Sequence, residues 1–427
     1  MSNNVKIGII GLGTVGSSVI KVLRSNSALI ENRSGVKIEI KKAADIRNKV
    51  AVAGKAYTKN ALDVISDPEI SIVVEAMGGV EPARKYILSA IKSGKHIVTS
   101  NKELIAKHGK QIISAARASG VHVLFEGSVC GGIPIIRAIR ECLAGNDIQE
   151  ISGIVNGTTN YILTKMTKEG MSFGSALKEA QAKGFAEADP KMDIDGSDAA
   201  YKAAILAYVS SGAFIDPSDI YREGISNIAS DDIEYAKEIG YVIKLLAIIK
   251  MCGGELEVRV HPTLIEKDHP LAQVNDNFNA VFVKADAMGE AMFYGEGAGG
   301  FPTASSVVSD IIEIAQKVAC CSQCPVPSYY PPEKKLKIKD MGDIRSRYYI
   351  RLEAPDRPGV LAGISGAFAK KKVGIQEVVQ RGSKGATAQI VIILHENREK
   401  DIQEALKIIS KLPVVKRICS VIRVGIG

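Results

Sequence analysis

The sequence predicts an α/β protein of three parts. A G-x-G-x-x-G motif at residues 11–16 lies between an apolar strand and a helical segment, an arrangement typical of dinucleotide-binding sheets. Beyond Gly145 longer strands mix with helices, which indicates an α+β domain. From Tyr348 onward the pattern is βαββαβ, that of a split βαβ unit. The predicted fold is therefore an N-terminal Rossmann-type parallel sheet, a central α+β domain and a C-terminal ferredoxin-like domain.

The composition indicates an ordinary globular protein. Of the 427 residues 46% are hydrophobic and 24% are charged, which allows a sizeable core. No apolar run reaches the roughly eighteen residues of a membrane span. The net charge of +8 is spread along the chain, and the 5% aromatic content with no tryptophan argues against a nucleic-acid partner. Seven irregularly spaced cysteines and the lack of a signal-peptide pattern favour the cytoplasm.

The N-terminal domain, residues 1–145, alternates strands with helices, as a parallel sheet requires. Its glycine motif allows a tight turn and the close approach of a pyrophosphate, whose charge the following helix N-terminus favours. We predict that the cofactor is bound by Gly11, Leu12, Gly13, Thr14, Val15 and Gly16. We predict a helix at 82–92 and strands at 5–10, 36–44, 72–77, 96–99 and 121–125.

Asp45 ends the second predicted strand. In dinucleotide-binding sheets an acid at this place holds the ribose hydroxyls of NAD, whereas a nearby arginine accommodates the 2′-phosphate of NADP. Arg47 follows two residues later, so the sequence leaves both cofactors open.

Two more segments follow predicted strands at the edge where open α/β sheets bind ligands. Ser100 and Lys102 come after the strand at 96–99, and a lysine in the first turn of a helix opposes the helix dipole, which favours a ligand-facing role. Residues 126–134 form a glycine-rich turn that could direct backbone carbonyls at a hard cation. A plain turn is an equally good interpretation of that segment.

The second domain, residues 146–319, is predicted to be mixed. Thr158 begins one of its helices, where it either caps the helix or contacts a ligand. Residues 295–300 are a second glycine-rich helix start, so we expect the segment at about 295–320 to return to the cofactor domain, with Gly299 at the cofactor. We predict strands at 147–155, 242–249, 255–261 and 278–287 and helices at 158–169, 174–183 and 197–211.

The acidic stretch at residues 184–202 is the most informative part of the chain. Pro190 and Gly196 indicate a loop, and an unbroken helical run follows. Asp198 and Lys202 are four residues apart and therefore share one helical face. A solvated loop with a surface ion pair would explain the acids, but Lys202 lies among Ala, Ile, Leu and Tyr, which favours a buried lysine with a function.

A proline-rich linker at 320–347 precedes the last domain, residues 348–427. The linker begins with Cys320, Cys321 and Cys324, which we interpret as reduced thiols because no second cysteine or histidine pair is near enough for zinc. The last domain has no catalytic cluster, so we expect an interaction or ligand-sensing module. Its predicted elements are helices at 359–371 and 399–411 and strands at 348–353, 374–381, 386–394 and 414–424.

These motifs, taken in order, resemble homoserine dehydrogenase. They are G-L-G-T-V-G at 11–16, S-N-K at 100–102, E-G-S-V-C-G-G-I-P at 126–134, N-G-T-T-N-Y-I-L at 156–163, G-E-G-A-G-G-F-P-T-A at 295–304 and, above all, the acidic stretch. The last domain, with A-P-D-R-P-G-V-L-A at 354–362, resembles an ACT domain. The resemblance covers essentially the whole chain.

The resemblance implies NAD(P)-dependent, reversible reduction of L-aspartate 4-semialdehyde to L-homoserine, on the route to threonine and methionine. Lys202 is then the proton donor to the aldehyde oxygen, Asp198 lies beside it, and Lys102 stands between substrate and nicotinamide. The implied substrate-binding residues are Glu187, which would face the substrate ammonium, Asp193 and Thr158. A monovalent cation, Na⁺ or K⁺, would be held mostly by backbone carbonyls of Glu126, Val129, Gly131 and Ile133.

The resemblance also implies partners. ACT domains commonly bind amino acids, so threonine is the expected effector, and the family pairs through its second domain, so we expect a homodimer or homotetramer. Two other interpretations compete: a dehydrogenase for a different small amino acid, and a non-catalytic sensor. The first has no reason to keep the acidic stretch together with Lys202, and the second has no reason to keep the glycine motif.

Overall fold

The computed structural model describes residues 4–320, 330–384 and 387–425. The chain forms two compact units. The first contains residues 1–148, 201–220 and 279–335, and the second contains 149–200, 221–278 and 336–427. Among the described residues, no helix has both the length and the apolar character needed to cross a membrane.

The elements are numbered along the chain. The strands are β1 (Asn4–Ile10), β2 (Lys37–Ala44), β3 (Tyr57–Thr58), β4 (Ile72–Glu75), β5 (His96–Thr99), β6 (Val123–Leu124), β7 (Ile148–Ile154), β8 (Tyr221–Arg222), β9 (Tyr241–Cys252), β10 (Glu255–Glu266), β11 (Phe278–Ala285), β12 (Gly289–Glu296), β13 (Lys337–Ile338), β14 (Arg345–Pro355), β15 (Ile375–Lys384), β16 (Thr387–Arg398) and β17 (Arg417–Val424). The helices are α1 (Thr14–Ser25), α2 (Ser27–Ser34), α3 (Val50–Ala53), α4 (Ala61–Ile65), α5 (Ala83–Lys92), α6 (Lys102–Ser119), α7 (Ile135–Arg137), α8 (Gly157–Glu169), α9 (Phe173–Ala182), α10 (Lys191–Ile194), α11 (Ser197–Ser211), α12 (Ser230–Glu238), α13 (Gly300–Cys320), α14 (Val360–Lys370) and α15 (Glu399–Ile409).

The first unit contains a six-stranded sheet in the order β3-β2-β1-β4-β5-β6. All its strand pairs are parallel, which confirms the predicted Rossmann-type fold. Its central strands are continuous apolar runs because helices cover both faces, and β4 is buried along its whole length. The strand order reverses between β1 and β4, and ligands of such sheets bind at the carboxyl ends of the strands beside that reversal.

The second unit contains strands in the order β7-β9-β10-β17-β14-β16-β15, with the short strands β8 and β13 also paired to β10. The four strands β17, β14, β16 and β15 are antiparallel, and together with α14 and α15 they form the predicted ferredoxin-like fold. Their core includes Ile350, Phe368 and Ile402, all fully buried. This domain is joined to the rest of the second unit by parallel pairing of β17 with β10 at Thr263–Arg423 and Leu264–Val424.

Some elements are absent from the predictions above. The apolar residues of β12 form one short run at 291–294, and α12 carries few apolar residues, so neither gives a clear hydrophobic period. The loop predicted before Gly196 contains the short helix α10, and the predicted linker contains β13. Cys320 is described and exposed, whereas Cys321 and Cys324 lie outside the described residues.

Candidate active site

The glycine motif of the first unit forms the turn between β1 and α1. Gly11 has φ of +95°, and a Cβ there would lie 2.6 Å from the carbonyl oxygen of Ala76. A Cβ on Gly16 would lie 1.9 Å from the carbonyl oxygen of Gly11. The N-cap of α1 is Gly13, which has no side chain with which to accept the N–H groups of the first turn, so these groups suit an anionic acceptor. This turn therefore has the shape and polarity that a pyrophosphate needs.

A cavity of about 320 Å³ opens beside this turn. Asp45 lies in its wall and is nearly buried, and it accepts hydrogen bonds from the backbone N–H groups of Leu12 (2.8 Å) and Arg47 (2.8 Å). Burial disfavours the charged form of Asp45, but the hydrogen bonds from Arg47 and Leu12 outweigh burial and hold its pKa below the ordinary value. The Arg47 side chain is 66% exposed. The other lining residues include Lys59, Asn60, Met77, Pro82 and Tyr86.

A later segment of the chain, the start of α13, returns to this turn within the first unit. Gly300 starts α13 against α1, and a Cβ there would lie 2.6 Å from Ser18 Oγ and 3.1 Å from Thr14 Cγ2. Gly299, just before it, has φ of +120°. The backbone N–H of Gly132 donates to the Glu296 carbonyl at 3.0 Å, so the turn at 126–134 is tied to the segment preceding α13.

The turn at 126–134 is buried and polar. The Glu126 carboxylate accepts from the backbone N–H groups of Ile136 (2.9 Å) and Arg137 (2.7 Å), and Asp310 accepts from the N–H of Glu126 at 2.9 Å. Burial raises the pKa of Glu126 to about 7. The Gly131 carbonyl accepts from Ser306 Oγ at 2.6 Å. The Ile133 carbonyl likewise accepts from the N–H of Ile135 at 2.8 Å. Carbonyl oxygens beside two buried carboxyls are chemically suited to a hard cation; the other predicted ligands, Val129 and Ile133, are buried in the same turn.

Two lysines of the first unit lie on neighbouring helices. Lys102 is the first residue of α6, whose cap Asn101 accepts from the N–H of Leu104 at 3.1 Å. Lys202 lies on α11 and is 7% exposed. Further along α6, Lys107 Nζ lies 5.3 Å from the ring centroid of Tyr201, so α6 runs beside the turn of α11 that carries Lys202. Ser100, which follows β5, lies against Gly127 of the polar turn.

In the second unit the acidic stretch is organised by Asn156. Its side-chain N–H₂ donates to Asp193 (2.7 Å) and to Asp198 (2.8 Å). Its side-chain oxygen accepts from the backbone N–H and the hydroxyl of Thr159, both at 2.9 Å, and so caps α8. Asp198 is 2% exposed and lies one helical turn before Lys202 on α11. One amide therefore fixes both carboxylates relative to α8.

The remaining predicted substrate residues differ in their surroundings. Thr158 does not cap α8, so that alternative is wrong; its hydroxyl instead donates to the Phe185 carbonyl at 2.6 Å and ties the helix to the acidic stretch. Glu187 is exposed, and its backbone carbonyl accepts from Gln181 at 3.1 Å. The described contacts of Asn156 join Asp193 with Asp198 but do not include Glu187.

Asn156 and Lys59 are among the residues of these sites that were not predicted. Asn156 precedes the predicted helix start, and an N-cap position alone gives no sign of its two acidic partners. Lys59 follows the two-residue strand β3, which is too short to give a periodic pattern. Its position after a strand of a parallel sheet is the one signal that could have indicated it.

Family models match most of the chain. Residues 134–312 match the model of homoserine dehydrogenase, residues 11–126 that of the homoserine dehydrogenase NAD binding domain, and residues 348–414 that of the ACT domain. Homoserine dehydrogenase of Synechocystis is 45% identical, with 98% of this chain and 99% of that one aligned.

Solved structures give the same result. The crystal structure of a homoserine dehydrogenase from Thiobacillus denitrificans superposes with a TM-score of 0.95 at 43% identity, over 99% of both chains. A hyperthermophilic archaeal homoserine dehydrogenase mutant, solved in complex with NADPH, superposes with a TM-score of 0.63 at 31% identity, over 74% of this chain and 98% of that one. The chain therefore belongs to the homoserine dehydrogenase family of NAD(P)-dependent oxidoreductases and carries a C-terminal ACT domain.

Proposed function

We propose that this chain interconverts L-aspartate 4-semialdehyde and L-homoserine with NADP as the preferred cofactor. The observation that carries the proposal is the buried pair Asp198 and Lys202, one turn apart on α11, with Asp198 held together with Asp193 by Asn156. A buried lysine one helical turn after an ordered carboxylate suits a small substrate that carries both an ammonium group and a reacting oxygen.

The residues of the chain then have distinct roles. The bound nicotinamide supplies the hydride for reduction of the aldehyde. Lys202 Nζ stabilises the negative charge that develops on the aldehyde oxygen and gives it a proton. Asp198 orients the Lys202 ammonium, and Asp193 with Thr158 binds the amino-acid end of the substrate. Glu187 pairs with the substrate ammonium, and Lys102 stands beside the nicotinamide.

The preference for NADP rests on charge in the cavity beside the glycine turn. Both oxygens of Asp45 already receive hydrogen bonds from the chain, including those from the Arg47 guanidinium at 3.3 and 3.4 Å, so Arg47 and Lys59 bring two cations to a cavity whose carboxylate is already paired. A 2′-phosphate gains binding free energy from those cations, and a ribose hydroxyl does not. The archaeal relative solved with NADPH supports the choice of NADP.

Arg47→Ala should raise KM for NADP about tenfold and change KM for NAD little. Arg33→Ala, which removes an exposed arginine, is the control.

We propose further that the turn at 126–134 binds a monovalent cation through carbonyls of Glu126, Val129, Gly131 and Ile133. The ACT domain has a cavity of about 220 Å³ at its D-R-P-G turn, lined by Asp356, Arg357 and Gln380, and there we place threonine as the feedback effector. Assembly as a homodimer or homotetramer, a place in threonine and methionine biosynthesis, and the cytoplasm as compartment complete the proposal.

The test is an initial-rate assay of homoserine oxidation with NADP and NAD, with and without threonine. Lys202→Ala should lower kcat by about 10²- to 10⁴-fold while NADPH binding stays unchanged. Lys178→Ala, which removes an exposed lysine of α9, is the control. Normal turnover by Lys202→Ala would refute the proton-donor role, and no homoserine-dependent reduction of either cofactor would refute the proposed reaction.

A further inference from the structure

The end of the acidic stretch rests on a short segment of the second unit, residues 221–225. The backbone N–H of Ile225 donates to the Ile194 carbonyl at 3.0 Å. A Cβ on Gly224 would lie 2.1 Å from that carbonyl oxygen and 2.7 Å from Cα of Asp195, so only glycine allows this approach. On the other side, Gly196 packs against the Glu223 carbonyl. The backbone that carries Asp193 is therefore in direct contact with the backbone of 221–225, the buttress segment.

The buttress segment is itself held from two directions. Its β8 part pairs with β10, and the N–H of Glu223 donates to the Val260 carbonyl at 2.8 Å. From the ACT domain, Arg423 of β17 donates through Nη1 to Glu223 (3.0 Å) and through Nη2 to the Tyr221 hydroxyl (3.0 Å). Beyond these contacts a groove of about 410 Å³ separates residues 223–228 from β17. The Arg423 side chain therefore links β17 of the ACT domain to the buttress segment.

Arg423 is anchored firmly at its ACT end. It is 2% exposed and donates to Glu399 through Nε (3.1 Å) and Nη2 (3.0 Å). Burial disfavours its charged form, but Glu223 and Glu399 outweigh burial and hold its pKa above the ordinary value. A charged, doubly paired guanidinium keeps a rigid geometry. Arg423 therefore forms a rigid connection between Glu399 in the ACT domain and Glu223.

We propose that Glu223 and Gly224 are positioning residues for the reaction, and that Arg423 couples the ACT domain to the acidic substrate stretch through them. The proposal rests on the proposed function, in which Asp193 and Asp198 bind the substrate. It adds a route of control. A shift of β17 moves the buttress segment, and the buttress segment moves the backbone at Ile194 together with the neighbouring Asp193 carboxylate.

The first test is Glu223→Gln, which keeps the shape of the side chain and removes the ion pair with Arg423. We expect KM for homoserine to rise about three- to tenfold, with KM for NADP unchanged, because perturbing a coupled network has effects of this size. Asp231→Asn is the matched control. Asp231 is also a part-exposed carboxylate facing an ACT arginine, Arg351 at 3.3 Å, but it lies on α12 and not on the buttress segment. Equal KM shifts in the two variants, or a lowered melting temperature with KM unchanged, would overturn the proposal.

The second test is Gly224→Ala, whose methyl group must displace the backbone at Ile194 and Asp195. KM for homoserine should rise at least tenfold, more than for Glu223→Gln. Gly366→Ala is the matched control, because Gly366 lies in α14 of the same unit and a Cβ there meets nothing within 4 Å. Unchanged KM in Gly224→Ala would overturn the role of the contact.

Hydrogen exchange gives a readout that needs no turnover. In Glu223→Gln, backbone amides at 191–198 should exchange at least threefold faster than in the unsubstituted protein, while those of the ACT helices keep their rates. Unchanged exchange at 191–198 would overturn the positioning role. Because wild-type turnover alone tests the homoserine assignment, failure of the proposed reaction is distinguishable from failure of this proposal.

Discussion

Asn156→Asp is the substitution that most directly tests the acidic site. The new side chain has the same shape and keeps an oxygen acceptor for Thr159, so the cap of α8 is retained. In place of the N–H₂ group, however, an oxygen now faces Asp193 at 2.7 Å and Asp198 at 2.8 Å. Two donor contacts become two contacts between carboxylates.

The magnitude follows from these contacts. Each lost hydrogen bond to a charged group contributes about 1.5–3 kcal/mol, so we expect the free energy of unfolding to fall by roughly 3 kcal/mol or more. Three clustered carboxylates also disfavour one another's charged forms, which raises their pKa values in the folded state. A carboxyl whose folded pKa exceeds its unfolded value destabilises the protein above that folded pKa and not below the unfolded one. The loss should therefore be larger at pH 8 than at pH 5.

Urea unfolding at pH 5 and pH 8, together with kcat/KM for homoserine, measures both effects. Ser172→Asp is the control, because Ser172 caps α9 in the same way, accepting from the N–H of Ser175 at 3.3 Å, and an aspartate there meets water. Equal stability of Asn156→Asp and the unsubstituted protein at pH 8, or a loss independent of pH, would refute the reasoning.

Three further predictions concern other parts of the molecule. Gly16→Ala should abolish NADPH binding measured by fluorescence, because its Cβ would lie 1.9 Å from the Gly11 carbonyl oxygen; binding within twofold of normal would contradict this. Burial lowers the pKa of His96 to about 4 and that of His122 to about 3. Unfolded histidine titrates near ~6.5, so as the pH falls the unfolded chain takes up protons before the folded one. The free energy of unfolding should therefore fall between pH 6.5 and pH 4, by up to ~1.4 kcal/mol per pH unit for each histidine. In chemical unfolding, His122→Asn should show a smaller change of this free energy with pH. Burial also lowers the pKa of Lys244 to about 7, so stability should rise from pH 7 toward pH 10, and Lys244→Met should lose that rise in the same assay.

The fold is well predicted where the chain has a regular period. The parallel sheet follows from apolar runs such as β4 and from the glycine motif, whose close backbone contacts tolerate no side chain at Gly16. The ACT domain follows from two amphipathic helices and the alternating strands around them. Elements with few apolar residues, such as α12, have no such signal.

The site is predicted in part, because residue types indicate which chemistry is possible but not which residues lie close together in the folded chain. Asp198 and Lys202 share one helix, so their spacing alone places them together. Asn156 meets Asp193 and Asp198 across 37 and 42 residues, and Arg423 meets Glu223 across 200, and nothing in one sequence reveals such pairs. The cavity can recognise a 2′-phosphate through Arg47 or ribose hydroxyls through Asp45. Which of the two it favours likewise depends on the hydrogen bonds that these side chains already make in the folded chain.

The first unit is built from three separate stretches of the chain, and this has a consequence for folding during synthesis on the ribosome. α13 covers α1, with Gly300 against Ser18 and Gln316 donating to the Ser34 carbonyl at 3.1 Å. About 275 residues separate the end of α1 from the start of α13. At roughly 5–20 residues per second, a nascent chain waits some 15–60 s between making the glycine turn and making the helix that covers it. During that interval the ribosome presents an unfinished dinucleotide-binding domain with an uncovered helix, so the emerging chain is an expected client of chaperones.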